Sequence, residues 1–330
     1  AACSRRQLLH ALQEDGRKVP PHLSDSLSLR AILTPQNVRR ALKGMPNYAM
    51  PGMDGFPSEY FKLFAGRTAK AAGTVTEDGS EEENPFLVLL TEALVEAVTH
   101  PEGMPHQMRD VVISLIYKEK GDRALLKNYR PIAVMPALYK ILTRTMAEAL
   151  HGVLPWLVDN TGFQHGVDTH DNARLVQDTI HYLEQSGRGG LLVLCDQKSA
   201  YPRVQWDFLQ EVMSNMGIHA DFRSMVTALY RDPAVRIKVN GHIGDPFTPR
   251  HGLHQGCGLS PLLYLLCLQT FTSLVARDPL LRGVRIPDSS GSDKPEHRRE
   301  VRVNGYADDL SCFLQDEMQL PRFKTLETAR

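Results

Sequence analysis

The chain has 330 residues, 42% hydrophobic and 23% charged, with 38 basic side chains against 38 acidic ones. This composition is close to the globular average and excludes wholesale disorder and collagen-like repetition. Zero formal net charge gives no global sign of a polyanionic partner, although a basic channel balanced by acidic surface elsewhere is compatible with it. In chain order, residues 1–33 read as a polar, helix-prone lead-in. Thr34-Pro35 then opens a short helix, with Thr as cap and Pro at the first helical position. Val38, Ala41 and Leu42 give it an apolar side, and Gly44 stops it. A turn-rich run follows, Met50 to Pro57. Residues 66–85 are small, acidic and poor in apolar side chains, and are expected to be a flexible surface insertion.

Phe86 to Val98 has helical periodicity through Leu87, Leu90, Leu94 and Val98. Val111 to Tyr117 is a strand candidate that ends in a charged turn. Ala137 to Leu150, Asn172 to Leu183 and Trp206 to Met216 read as helices. Leu191 to Cys195, flanked by glycines, predicts a short buried strand ending at Asp196. Val235, Ile237 and Val239 alternate with polar residues up to Asn240-Gly241, a hairpin signal. Ser260 to Val275 is an apolar helix. Val301 to Tyr306 and Leu310 to Leu314 are strand candidates around Ala307-Asp308-Asp309. Strands mixed irregularly with long helices point to an α/β or α+β fold, without regular βαβα alternation. At about 150 residues per domain, the length suggests two lobes.

Cys3, Cys195, Cys257, Cys267 and Cys312 form an odd, scattered set that fits a reducing compartment better than a disulfide framework. The start lacks an initiator Met and a signal-peptide core, and the most apolar stretch, Pro261 to Phe271, is too short for a bilayer and carries Gln269. No membrane partner is expected.

Two carboxylate positions stand out: Asp196 at a strand end and Asp308-Asp309 at a hairpin tip. Two such strands side by side would bring acidic oxygens around hard cations such as Mg²⁺, which is typically held by one or two carboxylates plus substrate phosphates. Such a site suits phosphoryl transfer. Each aspartate would equally serve as a turn residue. His251, His254 and Cys257 have a spacing compatible with zinc, with Cys267 further on. The basic run His297-Arg298-Arg299 with Arg302 would be either a nucleic-acid contact or a solvated loop.

The segment Tyr306-Ala307-Asp308-Asp309 resembles the YxDD box of reverse transcriptases. Five other blocks follow the order seen in non-LTR (LINE-type) retrotransposons. Met50 to Phe56 is similar to "APGPDGF", and Glu59-Tyr60-Phe61-Lys62 to "EFYK". Asn128-Tyr129-Arg130-Pro131-Ile132 reproduces "NYRPI". Thr161-Gly162-Phe163 opens a "TGFxPGRSIxDN" block that closes on Asp171-Asn172. Asp196 to Phe208 parallels "DxxKAYDRVxWxF", and Gly252 to Pro261 parallels "GxRQGCPLSP". Together these blocks cover residues 40–316.

The resemblance implies a right-hand polymerase with fingers and palm, an antiparallel palm sheet packed on helices. It implies a lead-in at 1–45, fingers at 46–190, palm at 191–316 and the start of a post-palm region at 317–330. No thumb and no endonuclease accompany them, which suggests a fragment of a longer reading frame. Asp196, Asp308 and Asp309 would bind Mg²⁺, or Mn²⁺. Tyr201 would be the aromatic gate that favours dNTPs. Gln255 and Gly256 would line the nucleotide and template pocket. Arg130 and Lys118 would face the triphosphate. The implied partners are an RNA template, a DNA primer and dNTPs, in a nuclear and cytoplasmic setting.

Five positions depart from the family pattern. Ser199 and Pro202 stand where the family has Lys and Asp, and Val167 where it has Arg. His254 replaces Arg, and Gly258 replaces Pro. An inactive copy that at most binds nucleic acid, and an RNA-dependent RNA polymerase, are the alternative readings.

Overall fold

The structure is a computed structural model, and it describes residues 4–66, 84–100, 104–164, 166, 168–197, 200–287 and 298–327. The expected insertion at 66–85 falls almost wholly outside the described residues, as do Val167 and Ser199.

Local chemistry explains where many helices begin. Helix α1 (Arg5–Asp15) opens on a reciprocal Ser4–Gln7 capping box and closes on left-handed Gly16. Two short helices follow, α2 (Pro21–Ser24) and α3 (Leu29–Ile32). In α4 (Pro35–Lys43), Thr34 Oγ1 accepts from Asn37 N, and Val38, Ala41 and Leu42 are buried as their spacing predicts. Gly44 ends α4 in a right-handed conformation rather than the left-handed one glycine usually supplies. Then come α5 (Ser58–Gly66), α6 (Pro85–Thr99, capped by Asn84) and α7 (His106–Arg109). Further along are α8 (Ala137–His151), α9 (Leu154–Leu157) and α10 (Thr169–Ser186). The last helices are α11 (Trp206–Asn215), α12 (Ala220–Leu229), α13 (Ser260–Arg277) and α14 (Leu320–Glu327).

The strands are β1 (Asp110–Tyr117), β2 (Tyr129–Val134), β3 (Leu191–Cys195), β4 (Ala234–Val239) and β5 (His242–Ile243). Near the C-terminal end lie β6 (Val284–Pro287), β7 (Arg298–Val301), β8 (Val303–Tyr306) and β9 (Asp309–Leu314). They form a four-stranded sheet β2-β1-β4-β5, a three-stranded antiparallel sheet β3-β9-β8 and a β6-β7 pair. The architecture is α+β, with sheets packed on helices. β1 and β4 pair in parallel, so the first sheet joins segments on either side of residue 190.

Helix α13 is the axis of the core. It buries Leu262, Leu263, Leu265 and Leu266, and it packs against α1 and α11 on one side and β8 on the other. Burial of an apolar side chain of this size stabilises by about 1.5–3 kcal/mol, so α13 anchors whatever is attached to it.

Two expectations are corrected. β3 is a strand at the predicted residues, but only Cys195 in it is buried: Leu194 is 72% exposed, its side chain standing on an uncovered face of a strand that pairs only with β9. The basic run at Arg298-Arg299 is strand β7, not a loop. Arg302 is taken up internally, pairing with Glu300 at 2.8 Å and donating to Ala276 O at 2.6 Å. Among the described residues, no helix is long and apolar enough to cross a membrane.

Candidate active site

The register of the three-stranded sheet sets the acidic geometry. Cys195 lies opposite Leu310 in the last pair of the β3–β9 ladder, with Asp196 directly after Cys195 and Asp309 directly before Leu310. β8 and β9 are joined by a two-residue turn, Ala307-Asp308, since Tyr306 pairs with Asp309. All three aspartates therefore sit at one end of one sheet. Like charges facing each other on neighbouring strands repel. The Asp309 carboxyl is raised above its ordinary range, first by desolvation, then by the charges of Asp308 and Asp196. A cation placed among them would relieve that repulsion.

The donor chemistry fits a divalent hard cation, being carboxylate oxygen throughout. Among the described residues no three His, Cys, Asp or Glu side chains, these aspartates included, form a set that could hold a metal ion by itself. Mg²⁺ does not demand one, because it keeps water and takes substrate phosphate oxygens as ligands. Zinc does demand one, and the His251/His254/Cys257 spacing does not produce it. His251 Nδ1 instead donates to Pro202 O at 2.8 Å, and His254 is buried at 8% exposure between the rings of Tyr139 and Tyr230. Burial holds the His254 imidazole down at about 4, so it is neutral, and its Nε2 has no hydrogen-bond partner among the described residues.

Tyr201 opens a single 3-10 turn after Asp196 and is half-buried. Its ring lies 5.3 Å from that of Tyr264, and its hydroxyl is pushed up to about 12 by burial and then by the charge of Asp308. The gate candidate and the hairpin tip are therefore close enough to interact. The backbone of this turn is stapled to the block at 252–261: Leu253 N donates to Tyr201 O at 2.9 Å and Gly252 N to Val204 O at 2.8 Å. Trp206 Nε1 adds a bond to Gly252 O at 2.8 Å.

Gln255 and Gly256 meet the other sheet. Ala133 N on β2 donates to Gln255 O at 2.7 Å. Gly256 has φ +113°, and a Cβ there would stand 2.9 Å from Ala133 O, so only glycine permits this approach. Arg130 lies on the same strand, opposite Ile116 of β1, and its exposed side chain has no hydrogen bond or ion pair among the described residues. Lys118 is engaged instead, its ammonium donating to Lys127 O at 2.9 Å within the β1–β2 connection. Neither cation contacts the three aspartates in the structure, whereas Tyr201 and the aspartates are brought together.

The acidic turn has a further partner that sequence reasoning did not single out. Asn160 is 3% exposed and hydrogen-bonds both peptide groups of Ala307. Its only sequence signal was an asparagine directly before Thr161-Gly162-Phe163. Gln269, visible as a polar break in an apolar helix, holds the preceding residue: Asp159 N donates to Gln269 Oε1 at 2.9 Å.

A family model described as Reverse transcriptase (RNA-dependent DNA polymerase) matches residues 116–327. The chain is 28% identical over 296 residues to the Transposon TX1 uncharacterized 149 kDa protein of Xenopus laevis, covering 89% of this chain and 20% of that protein. It is 24% identical over 194 residues to the Retrovirus-related Pol polyprotein from type-2 retrotransposable element R2DM of Drosophila melanogaster, covering 59% and 17%. The Probable RNA-directed DNA polymerase from transposon BS of the same organism is 23% identical over 247 residues, covering 73% and 25%. The chain thus spans a quarter or less of the length of these relatives. Among solved structures, a chain of the Partial Cas6-RT-Cas1--Cas2 complex aligns with a TM-score of 0.42 at 16% identity, covering 88% of this chain and 38% of that one.

Proposed function

This chain belongs to the reverse transcriptase family, as a domain of the non-LTR retrotransposon type, and on that premise we propose how its own residues extend a DNA primer on an RNA template. The observation that carries the proposal is the gathering of Asp196, Asp308 and Asp309 at one end of the β3-β9-β8 sheet, where the charges of Asp308 and Asp196 help to push the Asp309 carboxyl up. In this reading Asp196, Asp308 and Asp309 hold Mg²⁺ or Mn²⁺ together with the triphosphate. When bound, the metal ions activate the primer 3′-hydroxyl and stabilise the leaving pyrophosphate. Tyr201 places its ring under the sugar of the incoming nucleotide and excludes a 2′-hydroxyl. Gln255 and Gly256 line the nucleotide and template pocket, where the absence of a side chain at Gly256 leaves backbone accessible. Arg130, with no internal partner among the described residues, is available to the triphosphate, and the fork of its guanidinium suits phosphate oxygens. Lys118 has first to leave Lys127 O to do the same, so its role is the smaller.

Strands β1 and β2 are read as part of the fingers and the three-stranded sheet as part of the palm, with β4 and β5 of the palm segment completing the four-stranded sheet. The segment 1–45 is read as a lead-in, 46–190 as fingers, 191–316 as palm and 317–330 as the start of the region beyond it.

The test is template-directed primer extension on RNA with dNTPs and Mg²⁺, with Asp308→Ala beside the parent. The parent is expected to incorporate and the variant to fall to background while keeping its melting temperature. Parent-level incorporation by Asp308→Ala sinks the site assignment. The second reading, a domain that binds nucleic acid without extending it, is favoured by Pro202, which removes the family's carboxylate near Asp196. Salt-sensitive RNA binding without incorporation by the folded parent would select it. Preferential use of rNTPs by the parent would select the RNA polymerase reading.

A further inference from the structure

We infer that Asn160 is the positioning residue that holds the acidic hairpin turn in shape, and through it the direction of the Asp308 carboxylate. The inference rests on the reading of Asp196, Asp308 and Asp309 as the metal-binding set.

The turn needs such help. A two-residue connection between antiparallel strands takes a primed conformation, and the form with positive φ at its first position is normally given to glycine. Here that position is Ala307, at φ +55°. Its Cβ makes the left-handed region unfavourable. Residues held in this way persist only where their surroundings over-determine them.

Asn160 supplies the surroundings. Its Nδ2 donates to Ala307 O at 2.9 Å, and its Oδ1 accepts from Ala307 N at 2.9 Å. One side chain thus closes on both peptide groups of the strained residue from 147 positions away in sequence. The same Oδ1 accepts from Gly162 N at 2.9 Å, which fixes the amide's rotation. The loop around Asn160 is pinned to the hairpin as well. Thr161 N and Thr161 Oγ1 both donate to Gly305 O, at 3.1 and 3.2 Å.

The clamp also has a rigid mount. Gln269, 1% exposed in α13, accepts from Asp159 N and donates to Asp159 Oδ2 at 3.3 Å. The line of contact runs from the core helix through Gln269, Asp159 and Asn160 to Ala307, and the next residue in the chain is Asp308. Asn160 reaches none of the three carboxylates by hydrogen bond, so it acts through Ala307.

The experiment compares Asn160→Ala, Asn160→Asp and the double variant Asn160→Ala/Ala307→Gly with the parent chain. Four quantities are measured: melting temperature, kcat and dNTP KM in primer extension, Mn²⁺ affinity without substrate, and hydrogen exchange of the peptide containing Ala307. Loss of Asn160 is expected to lower kcat and Mn²⁺ affinity by roughly 10–100-fold, the usual effect of a group that orients metal ligands. The dNTP KM should stay within about twofold, because the bond lost does not touch the nucleotide. Exchange at Ala307 should quicken. Ala307→Gly in the Asn160→Ala background should recover most of the loss, since glycine adopts positive φ without help.

A folded Asn160→Ala protein with parent kcat and parent Mn²⁺ affinity overturns the inference, as does a double variant with no recovery. If Asn160→Ala does not fold, Asn160→Asp decides. It keeps the acceptor for Ala307 N but faces Ala307 O with a second oxygen, so reduced kcat at a parent melting temperature supports the clamp and unchanged kcat refutes it. Asp308→Ala runs in parallel: its retention of activity would overturn the reading of the carboxylates, while hydrogen exchange at Ala307 would still judge the clamp.

Discussion

The hairpin β4–β5 turns through Asn240 and Gly241, at φ +49° and +86°, whereas β8–β9 turns through Ala307 at φ +55° and Asp308. Asn-Gly is the pair that prefers two consecutive positive φ values, so the first turn is written in its own two residues. A Cβ on Gly241 would meet nothing within 4 Å, and both residues are exposed. Ala307 is buried at 8% exposure and has no intrinsic liking for its conformation. A Cβ added at Gly162 would stand 2.2 Å from Ala307 N, and one at Gly305 would stand 2.6 Å from Asn160 Nδ2. The first turn is autonomous. The second exists because distant segments press against it, which is how a reactive group can be aimed by parts of the chain that carry no reactive group themselves.

The contrast can be broken hardest at Gly162. Gly162→Ala puts a methyl into the backbone of Ala307 and should cost about 3 kcal/mol, the upper end for overpacking, with primer extension lost alongside. Denaturant titration and primer extension together check this, and a Gly162→Ala protein with parent stability would show that the hairpin is free to move away.

A middle-sized effect comes from acid, through a buried imidazole that belongs to neither turn. The His254 imidazole is held down at about 4 in the fold, against an ordinary value near 6.5 in the unfolded chain. The unfolded state therefore binds the extra proton between those values, and stability falls as pH is lowered through them. From pH 7 to pH 5 this contributes a loss of about 2 kcal/mol. Denaturation at both pH values should show that increment in the parent and not in His254→Phe. An equal pH dependence in the two proteins would remove His254 as its source.

The smallest effect is expected at the autonomous turn. Gly241→Ala should cost about 1 kcal/mol through its positive φ and leave primer extension at the parent rate. A larger loss of activity would mean that β4–β5 is tied to the carboxylate sheet more closely than its exposed turn suggests.

Much of the fold was legible along the chain. Helix α4 follows from Thr34-Pro35 and the spacing of Val38, Ala41 and Leu42. Helices α6, α8, α10 and α13 follow from apolar periodicity, with ends shifted by a few residues. Helix α12 was not singled out from the sequence, nor were strands β6 and β7, whose four residues each carry too few periodic positions to stand apart from loop. The motif blocks pointed to the family, and the comparisons bear that out.

By itself, the sequence determined what neighbouring residues decide among themselves: the helix caps, the apolar faces, the Asn240-Gly241 turn and the acidic doublet at a strand junction. Backbone preference and hydrophobic period act over a few residues, so they can be read from a few residues. Only the tertiary structure decided that β3 lies at an edge with Leu194 in solvent, that β1 pairs with β4, and that Asn160 closes on Ala307. Those outcomes depend on which distant surfaces meet. The cost of closing long loops is repaid jointly by the whole core, so no local stretch of sequence carries their signature.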